Sequence, residues 1–319
     1  MRRPVARLPM YDWPEVHDAV DALWAAIAQR LRGAGLGAPE RLWRYADGTT
    51  LNDLWTDPEL LIGQACGLPV VTALRGRVEV LGSLDHGVDG CELGDYRSVL
   101  VCRSDDEAVD LPGFRGRLAA VNSRDSQSGF GSLVTTLTPL CSDGSFLGGI
   151  VESGSHRESL RMVADGRADL AAIDEVCWRL GLDHEPAVDG LRIFGRTDPT
   201  PGLPLVTGWA NIGLRGLLNA AITGAVASLE ITFRKPLHLY GYRPRPTSDY
   251  QIIVDRLTAA GHPIGAGNRL WPTVLGDHWF ALVRIVSRRL AACTRPSGGG
   301  PFGVYTTSVR PRSRRRGRG

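Results

Sequence analysis

The amino-acid sequence predicts an α/β fold in which a mostly parallel sheet is flanked by helices. Segments rich in β-branched and apolar residues alternate with segments of helical period over most of the chain. Polar turns rich in Ser or Gly follow several of the strand-like segments, and open α/β sheets place their ligands at such turns. The chain has 319 residues, of which 43% are apolar, enough for the cores of two domains of ordinary size.

The first part of the chain contains two predicted strand–helix units. A strand at 7–11 precedes a helix at 16–31, in which the apolar residues recur at helical spacing. The second unit pairs a strand at 41–45 with a helix around 58–64, which stops at the Gly-Leu-Pro sequence 67–69. Further strands are predicted at 78–81, 96–103, 118–122, 150–152, 169–174, 191–195 and 203–207, and helices from 156, at 211–229 and at 247–261.

The positive charge of the chain is confined to its C-terminus. The formal net charge is +3, but residues 1–277 carry 27 basic and 34 acidic residues, and ten arginines follow Asp277 without any acidic residue. Residues 296–319 contain almost no core-forming residues, so we predict a disordered, solvated Arg-rich tail. A nucleic-acid-binding tail is the alternative, but few aromatic residues are interleaved with the arginines, and we expect no nucleic-acid partner.

Several classes of site are not supported by the motifs of the chain. The six cysteines have no C-x-x-C spacing and the seven histidines have no metal-ligand spacing, so we expect neither a metal nor a cofactor. The G-x-S-x-G and H-E-x-x-H motifs are absent, and we predict a protein without catalytic residues. The mean hydropathy of −0.09 and the lack of a long apolar run predict no membrane-spanning helix.

The Ser-rich turn after the predicted strand at 118–122 is the first candidate ligand site. Ser126 and Ser128 offer hydroxyl groups at the start of a helix, where free backbone N–H groups and the positive end of the helix dipole favour an anion. Gly129 allows the backbone to approach a ligand without a Cβ atom in the way. The alternative is that both serines only cap the helix.

Five further residues are candidates because they lie at other strand or helix ends. His156 begins a helix within a Ser155–Glu158 capping box, and Asp174 ends the strand at 169–174. A carboxylate beside an oxyanion favours a ligand that carries a proton or an amine, although Asp174 could also cap the next helix. The remaining three, which could donate hydrogen bonds from the first part of the chain, are Tyr11, Gln64 and, with less support, Tyr96.

An ordered series of motifs resembles the PhnD-like phosphate and phosphonate substrate-binding proteins of ABC transporters, which have the type 2 periplasmic-binding-protein fold. The resemblance covers roughly residues 7–265. The motifs that carry it are Leu8-Pro-Met-Tyr-Asp12, Gly63-Gln-Ala-Cys-Gly67, Tyr96-Arg-Ser98, Asp125-Ser-Gln-Ser-Gly129, Gly154-Ser-His156 and Ala168-Asp-Leu-Ala-Ala-Ile-Asp174.

This resemblance implies two α/β lobes with mixed or parallel sheets, which close around a ligand through a two-strand hinge. The crossing strands are expected near 99–103 and 174–178. The expected division is a first lobe of residues 1–100 and 178–265, a second lobe of residues 101–177, an extension at 266–295 and the tail at 296–319.

The function that the resemblance implies is the binding of a small oxyanion, such as phosphate or a phosphonate, for an ABC-type transporter. The expected partners are the oxyanion and an ABC permease, and we expect a monomer. The first residues show no signal-peptide pattern, which as written predicts a cytoplasmic chain, whereas the family is extracytoplasmic. The alternative is therefore a cytoplasmic ligand sensor or an enzyme on the same fold.

Overall fold

The computed structural model describes residues 3–44, 50–141 and 146–262. The predicted extension at 266–295 and the predicted tail at 296–319 lie outside the described residues. Within the described part, strands β1 to β12 are Val5–Arg7, Leu60–Gln64, Val78–Asp85, Asp95–Tyr96, Ser98–Arg103, Leu118–Val121, Gly149–Glu152, Leu170–Asp174, Leu191–Arg196, Thr200–Pro201, Pro204–Gly208 and Gly241–Pro244.

The helices lie between these strands, as the alternating sequence pattern predicts. In the described residues, helices α1 to α9 are His17–Gly33, Leu51–Trp55, Gly67–Val71, Ser132–Leu137, His156–Ala164, Glu175–His184, Arg215–Ser228, Ile231–Arg234 and Gln251–Ala259. None of these helices combines the length and the apolar character that crossing a bilayer requires.

Two five-stranded mixed sheets organise the described residues, and both belong to one compact unit of the chain. The first sheet has the order β1-β2-β11-β3-β12, and the second has the order β7-β6-β8-β5-β9. Parallel pairs join β1 to β2 and join β6 to β7 and β8, whereas the other pairs are antiparallel. The predicted α/β fold with mixed sheets and flanking helices is therefore confirmed, although the sheets are not mostly parallel.

The second strand–helix unit of the sequence prediction is wrong. Residues 60–64 form strand β2 instead of a helix, and all five of them are buried. A short, continuous apolar run suits a buried strand as well as a buried helix, so periodicity alone could not separate the two. Helix α3 then begins at Gly67, where the prediction ended one, and residues 41–44 form no strand.

The chain passes between the two sheets through a small two-stranded ribbon. Strand β4 precedes β5 on the way to the second sheet, strand β10 follows β9 on the way back, and the two pair antiparallel with Thr200 opposite Tyr96. The crossings expected near 99–103 and 174–178 are therefore misplaced. Residues 99–103 lie within β5. Asp174 ends β8, and 175–178 begin α6, which leads to β9 of the same sheet.

The apolar core of the first sheet includes the contact between α1 and α7. The buried face of α1 contains Trp24, Ile27 and Leu31, and Leu218 and Ile222 are buried on α7. This spacing of buried residues is that of an amphipathic helix, and the segment at 16–31 predicts α1 correctly. Packing on α7 fixes α1, and with it the turn after β1 from which the chain enters this helix.

We predict that Gly82→Ala destabilises the first sheet. A Cβ atom at Gly82 would lie 2.6 Å from the Tyr242 hydroxyl and closer still to the carbonyl oxygen of Arg243, so β12 would have to move away from β3. Overpacking of this kind costs about 1–3 kcal/mol, measurable as a lower free energy of unfolding in urea. Gly37→Ala is the matched control, because no atom lies within 4 Å of its added Cβ. Equal stabilities of the two variants would contradict the prediction.

Candidate ligand-binding site

A small cavity lies where the carboxyl ends of strands from both sheets meet. Its volume is about 40 Å³, which is room for a small ion or a few water molecules. Strands β1 and β2 lead to it from the first sheet, and β6 and β8 lead to it from the second. The residues that line it are Met10, Tyr11, Leu51, Trp55, Cys66, Pro69, Asn122, Ser123, Asp125, Ser126, Ser128, His156, Asp174, Cys177 and Leu203.

The turn after β6 presents Ser126 and Ser128 to this cavity. The Ser126 hydroxyl accepts a hydrogen bond from the Gly129 backbone N–H at 3.1 Å, so Ser126 caps the wide turn Gln127–Gly131 that continues into α4. A Cβ atom at Gly129 would overlap the side-chain oxygen of Asn122, which explains the need for glycine there. The capping role of Ser126 is thus observed, and the same hydroxyl also lines the cavity.

Ser128 is fixed by contacts on both its backbone and its side chain. Its carbonyl oxygen accepts a hydrogen bond from the Ser98 hydroxyl at 2.8 Å and another from the Ser132 hydroxyl. Its own hydroxyl lies 2.8 Å from Nε2 of His156 and 3.5 Å from the Ser126 hydroxyl. The two predicted helix starts, after β6 and at the beginning of α5, are therefore in direct contact.

His156 is a neutral imidazole in this position. Burial lowers its pKa to about 3, because the charged form would lose its hydration. A neutral ring carries one N–H donor and one acceptor nitrogen, and its Nδ1 atom is buried without a hydrogen-bond partner among the described residues. One ring nitrogen of His156 thus has unused hydrogen-bonding capacity beside the Ser128 hydroxyl.

Asp174 joins the two sheets at the bottom of the cavity. One carboxyl oxygen accepts hydrogen bonds from the backbone N–H groups of Val176 at 2.8 Å and Cys177 at 3.4 Å, so Asp174 caps α6. The other oxygen accepts a hydrogen bond from the Tyr11 hydroxyl at 2.9 Å. Burial raises the pKa of Asp174 to about 7, against the opposing effect of these three donors. The pKa of Tyr11 is also raised well above its usual value, mainly by burial and to a smaller extent by the nearby Asp174 charge.

Two predicted residues are buried nearby without lining the cavity. Gln64 ends β2, where its carbonyl oxygen accepts a hydrogen bond from the Trp55 indole at 2.9 Å. Its side-chain Nε2 atom is buried and unpartnered among the described residues. The Tyr96 hydroxyl is also buried without hydrogen-bond geometry to any described residue, although the nearby Ser128 hydroxyl lowers its pKa slightly while burial raises it.

The sequence analysis did not single out the two cavity thiols. The sulfur of Cys66 accepts a hydrogen bond from the Gln127 backbone N–H at 3.2 Å, which ties α3 to the Ser-rich turn. Burial raises the pKa of Cys66 to about 11 and that of Cys177 well above its usual value, so both thiols are protonated near neutral pH. Cys66 lies within the family motif Gly63-Gln-Ala-Cys-Gly67, and Cys177 lies three residues after Asp174. Their positions in the sequence therefore indicated that they lie near the site, although cysteine as a residue type did not.

The cavity has both polar and apolar walls, and its described lining contains no lysine or arginine. Asp125 and Asp174 are its acidic residues, and its histidine is neutral. Among the described residues, no cluster of three or more His, Cys, Asp or Glu side chains could hold a metal ion. An anion here would have to be bound by hydroxyl and N–H donors, without a formal positive charge from the protein.

The sequence of the chain matches one family model over residues 5–231. This model describes the periplasmic substrate-binding proteins of phosphonate ABC transporters. The chain belongs to this family. Its members are solute-binding proteins, which confirms both the resemblance found in the motifs and the prediction that the chain is not an enzyme. A comparison with curated proteins finds no match.

Solved structures with the same fold include phosphonate-binding proteins. PhnD1 from Prochlorococcus marinus, solved with methylphosphonate, is 15% identical with a TM-score of 0.62, over 81% of this chain and 98% of that chain. The binding protein of an ABC phosphonate transporter from Pseudomonas aeruginosa is 14% identical with a TM-score of 0.61, over 91% and 97% of the two chains. XAC2383 from Xanthomonas citri, solved with ATP, is 16% identical with a TM-score of 0.62, over 83% and 100%.

We predict that Asp174 makes the ligand-free protein less stable as the pH rises. Its folded-state pKa of about 7 lies above the usual aspartate pKa of 3.8, so the native state binds more protons than the unfolded state between these values. The stability from this group is complete below about pH 4 and is lost as the pH rises through about 7. The free energy of unfolding of the wild type, minus that of Asp174→Asn, should therefore fall between these two pH values in urea titrations.

The subtraction isolates Asp174 from the buried histidines. Burial lowers the pKa of His86 to about 4 and that of His156 to about 3, so their contributions change in the opposite direction, on acidification. Both histidines are present in the wild type and in the variant, so their effects cancel to first order. A difference that is constant with pH would show that the Asp174 carboxyl does not titrate in this range.

Proposed function

We propose that this protein binds a small phosphorus oxyanion, phosphate or a phosphonate, in the cavity formed by Tyr11, Ser126, Ser128, His156 and Asp174. The observation that carries the proposal is the contact between the Ser128 hydroxyl and His156, which brings two helix starts to one cavity. The family supports a phosphonate as the ligand class. The choice between phosphate and phosphonate belongs to this proposal.

The donors of the site suit an oxyanion that is bound by hydrogen bonds. Ser126 and Ser128 would direct their hydroxyl protons to its oxygens, and the Gly129 turn would bring backbone N–H groups close to it. A neutral His156 that carries its proton on Nε2 can donate to the Ser128 oxygen, which leaves the Ser128 hydroxyl proton free for the ligand. Such bonds to a charged acceptor are each worth about 1.5–3 kcal/mol, so a few of them are sufficient for binding.

Asp174 would select the protonation state or the substituent of the ligand. A carboxylate repels a dianion, but it accepts a hydrogen bond from a protonated oxyanion or an ion pair from an aminoalkyl group. The raised pKa of about 7 allows the Asp174 carboxyl to hold the shared proton itself. In both readings a proton or an ammonium group lies between the Asp174 carboxyl and the oxyanion.

The size and the walls of the cavity favour a small ligand. A volume of about 40 Å³ is far below the 300–1,000 Å³ or so of pockets for drug-sized molecules. Met10 and Leu203 give the cavity an apolar part, against which a short alkyl group could pack. Gln64 and Tyr96, which do not line the cavity here, stay in the proposal as buried donors that a small rearrangement could bring to the ligand.

Ligand binding would close the two parts of the chain around the oxyanion. The predicted lobe boundaries remain a proposal, which we adjust to the strand topology. The two crossings are placed at β4 and at β10, and β9 is assigned to the second lobe. A ribbon of two residue pairs is a short connection, suited to the φ/ψ changes of a hinge. The monomeric state and the ABC permease as the reader of the closed form are part of the same proposal.

A thermal-shift panel on the full chain tests the proposed ligand class. The panel contains phosphate, phosphite, methylphosphonate, 2-aminoethylphosphonate, sulfate and an amino acid. A ligand at a hundredfold excess over its Kd adds about 2.7 kcal/mol of stability, which gives a clear rise in Tm. We expect a rise with at least one phosphorus oxyanion and none with the amino acid. No rise with any phosphorus oxyanion would refute the proposed function.

We predict that Ser128→Ala weakens binding of the best ligand in this panel by about 1.5–3 kcal/mol, or roughly 10- to 150-fold in Kd. The reason is the loss of one hydroxyl donor to a charged oxygen. Titration calorimetry gives the Kd of both proteins. An unchanged Kd would remove Ser128 from the site.

Thr136→Val is the matched control for this substitution. Its hydroxyl lies on α4, directly after the turn that contains Ser128, but it donates to the Ser132 carbonyl oxygen at 2.7 Å, and Thr136 lines a different cavity. We expect its Kd to equal that of the wild type. A loss of affinity in both variants would point to a general disturbance of α4 instead of a missing ligand contact.

We also predict that the affinity for methylphosphonate falls as the pH rises from about 6 to about 8.5, because Asp174 and the ligand then lose the proton that they share. The decline should be smaller in Asp174→Asn, compared at each pH so that the titration of the free ligand is common to both. A parallel titration with 2-aminoethylphosphonate separates the two readings of Asp174. An ammonium bound there would make the variant lose much more affinity for this ligand than for methylphosphonate.

A further inference from the structure

Arg157 forms an ion-pair bridge between helix α5, on the side of the second sheet, and the segment between β1 and α1, on the side of the first sheet. Its guanidinium donates to both carboxyl oxygens of Glu15, at 3.1 and 2.8 Å, in a bidentate pair. It also donates to the Glu185 carboxylate at 2.7 Å and to the His184 carbonyl oxygen at 3.0 Å. The same guanidinium lies 4.6 Å from the ring centre of Trp13, which adds a cation–π contact.

The partners of this bridge are anchored on opposite sides of the cavity. Trp13 and Glu15 lie between β1 and α1, which packs on the helix that covers the first sheet. Arg157 belongs to α5, which packs against β5, β6 and β8 of the second sheet. Glu185 follows α6 on the same side and is almost completely buried, so it holds Arg157 in place from its own side.

The bridge directly adjoins the proposed ligand site on both sides. Arg157 follows His156 in the sequence, and Trp13 and Glu15 come shortly after Tyr11. The segment that presents Glu15 is itself held, because Arg44 forms hydrogen bonds with both carboxyl oxygens of Asp12. The Arg157–Glu15 contact thus connects the segments of two cavity residues, Tyr11 and His156, and the ligand does not have to touch it.

The two carboxylates give Arg157 different kinds of support. Glu185 pairs with Arg157 and with Arg161 from within the second-sheet side, so this contact would survive any movement between the sheets. Glu15 comes from the other side, and Arg157 is its ion-pair partner among the described residues. An opening of the cavity would therefore break the Glu15 contact, together with the Trp13 contact.

We propose that Arg157 is a positioning residue for ligand binding, whose contacts with Glu15 and Trp13 stabilise the closed form and so slow the release of the ligand. This inference rests on the proposed function. Arg157 donates nothing to the ligand itself. Because a contact present only in the closed form adds its free energy to closure, its loss reduces the closed population and the apparent affinity together.

Two other contacts join the two sides but differ in position. Arg179 of α6 donates to the carbonyl oxygens of His86 at 2.8 Å and Gly87 at 3.1 Å, and His238 contacts Asp183 at 3.0 Å. None of these residues lines the cavity. These contacts do not involve Glu15 and stay intact when Glu15 is replaced, so the effect of the Arg157 bridge can be measured separately.

The test compares Glu15→Gln with the wild type, as full chains, using the phosphorus oxyanion that gives the largest thermal shift. We expect the Kd of the variant to rise about three- to tenfold, the range for an ion pair worth up to about 1 kcal/mol or slightly more. Stopped-flow measurements should assign the increase to faster dissociation. The radius of gyration from small-angle scattering should shift towards the open form in the ligand-free variant or at subsaturating ligand.

Two further variants separate the bridge from a general effect of charge. Asp21→Asn removes a second carboxylate partner of Arg44, at 2.9 Å on the first-sheet side, and leaves the hydrogen bonds of Arg44 to Asp12 in place. It should leave Kd and the dissociation rate unchanged. Arg157→Gln should weaken binding at least as much as Glu15→Gln. In the double variant the two effects should not add, because both remove the same contact.

The outcomes distinguish failure of this inference from failure of the proposed function. If the wild type binds a phosphorus oxyanion and Glu15→Gln changes neither Kd, nor the dissociation rate, nor the radius of gyration, the bridge does not act on closure and the inference is wrong. If no phosphorus oxyanion binds to the wild type, the proposed function fails. An unchanged radius of gyration of ligand-free Glu15→Gln then refutes the bridge as well.

Discussion

The hydrogen bond between Tyr11 and Asp174 is the contact on which the arrangement of the site depends. It joins the segment after β1 to the end of β8 through two side chains that are both buried. The Asp174 carboxyl also caps α6, so one group fixes a helix and the contact between the two sheets. A buried carboxyl is costly unless it is paired or protonated, and Asp174 meets this constraint with three donors and a raised pKa. The fold thus places a proton-sensitive group where segments from the two sheets meet.

The positions of strands and turns could be inferred from the sequence wherever local pattern and tertiary role agree. Strand β6 is a short apolar run followed by a polar turn, β8 is a short apolar run that ends in Asp174, and α1 has a clear helical period. Their residues and the Ser128 turn were therefore predictable. Strand β2 was not, because its five buried residues have no alternation that excludes a helix. The antiparallel pairing of strands such as β5 and β9 could not be predicted either, because strand order depends on contacts between residues that are distant in the sequence.

Only part of the candidate site could be predicted from the sequence, for a related reason. Residue type and position at a strand end identified Tyr11, Ser128 and Asp174, but side-chain direction decided which residues line the cavity. Gln64 is buried at the end of β2, and its amide does not line the cavity. Cys66 lies two residues further on and does line it, although a cysteine is more often a plain core residue. The bridge of Arg157 to Glu15 could not be seen in the sequence, because 142 positions separate its partners.

The sulfur atoms of the cavity give the site a chemical property that its hydrogen bonds do not describe. A thiol reacts with electrophiles and oxidants mainly as the thiolate, and burial keeps both Cys66 and Cys177 in the protonated form near neutral pH. The cavity therefore contains two thiols that are chemically inert under mild oxidising conditions. Cys66 can serve as a hydrogen-bond acceptor for the Ser-rich turn without becoming a point of oxidative damage. Alkaline conditions would remove this protection before they affected the hydroxyl groups of the serines.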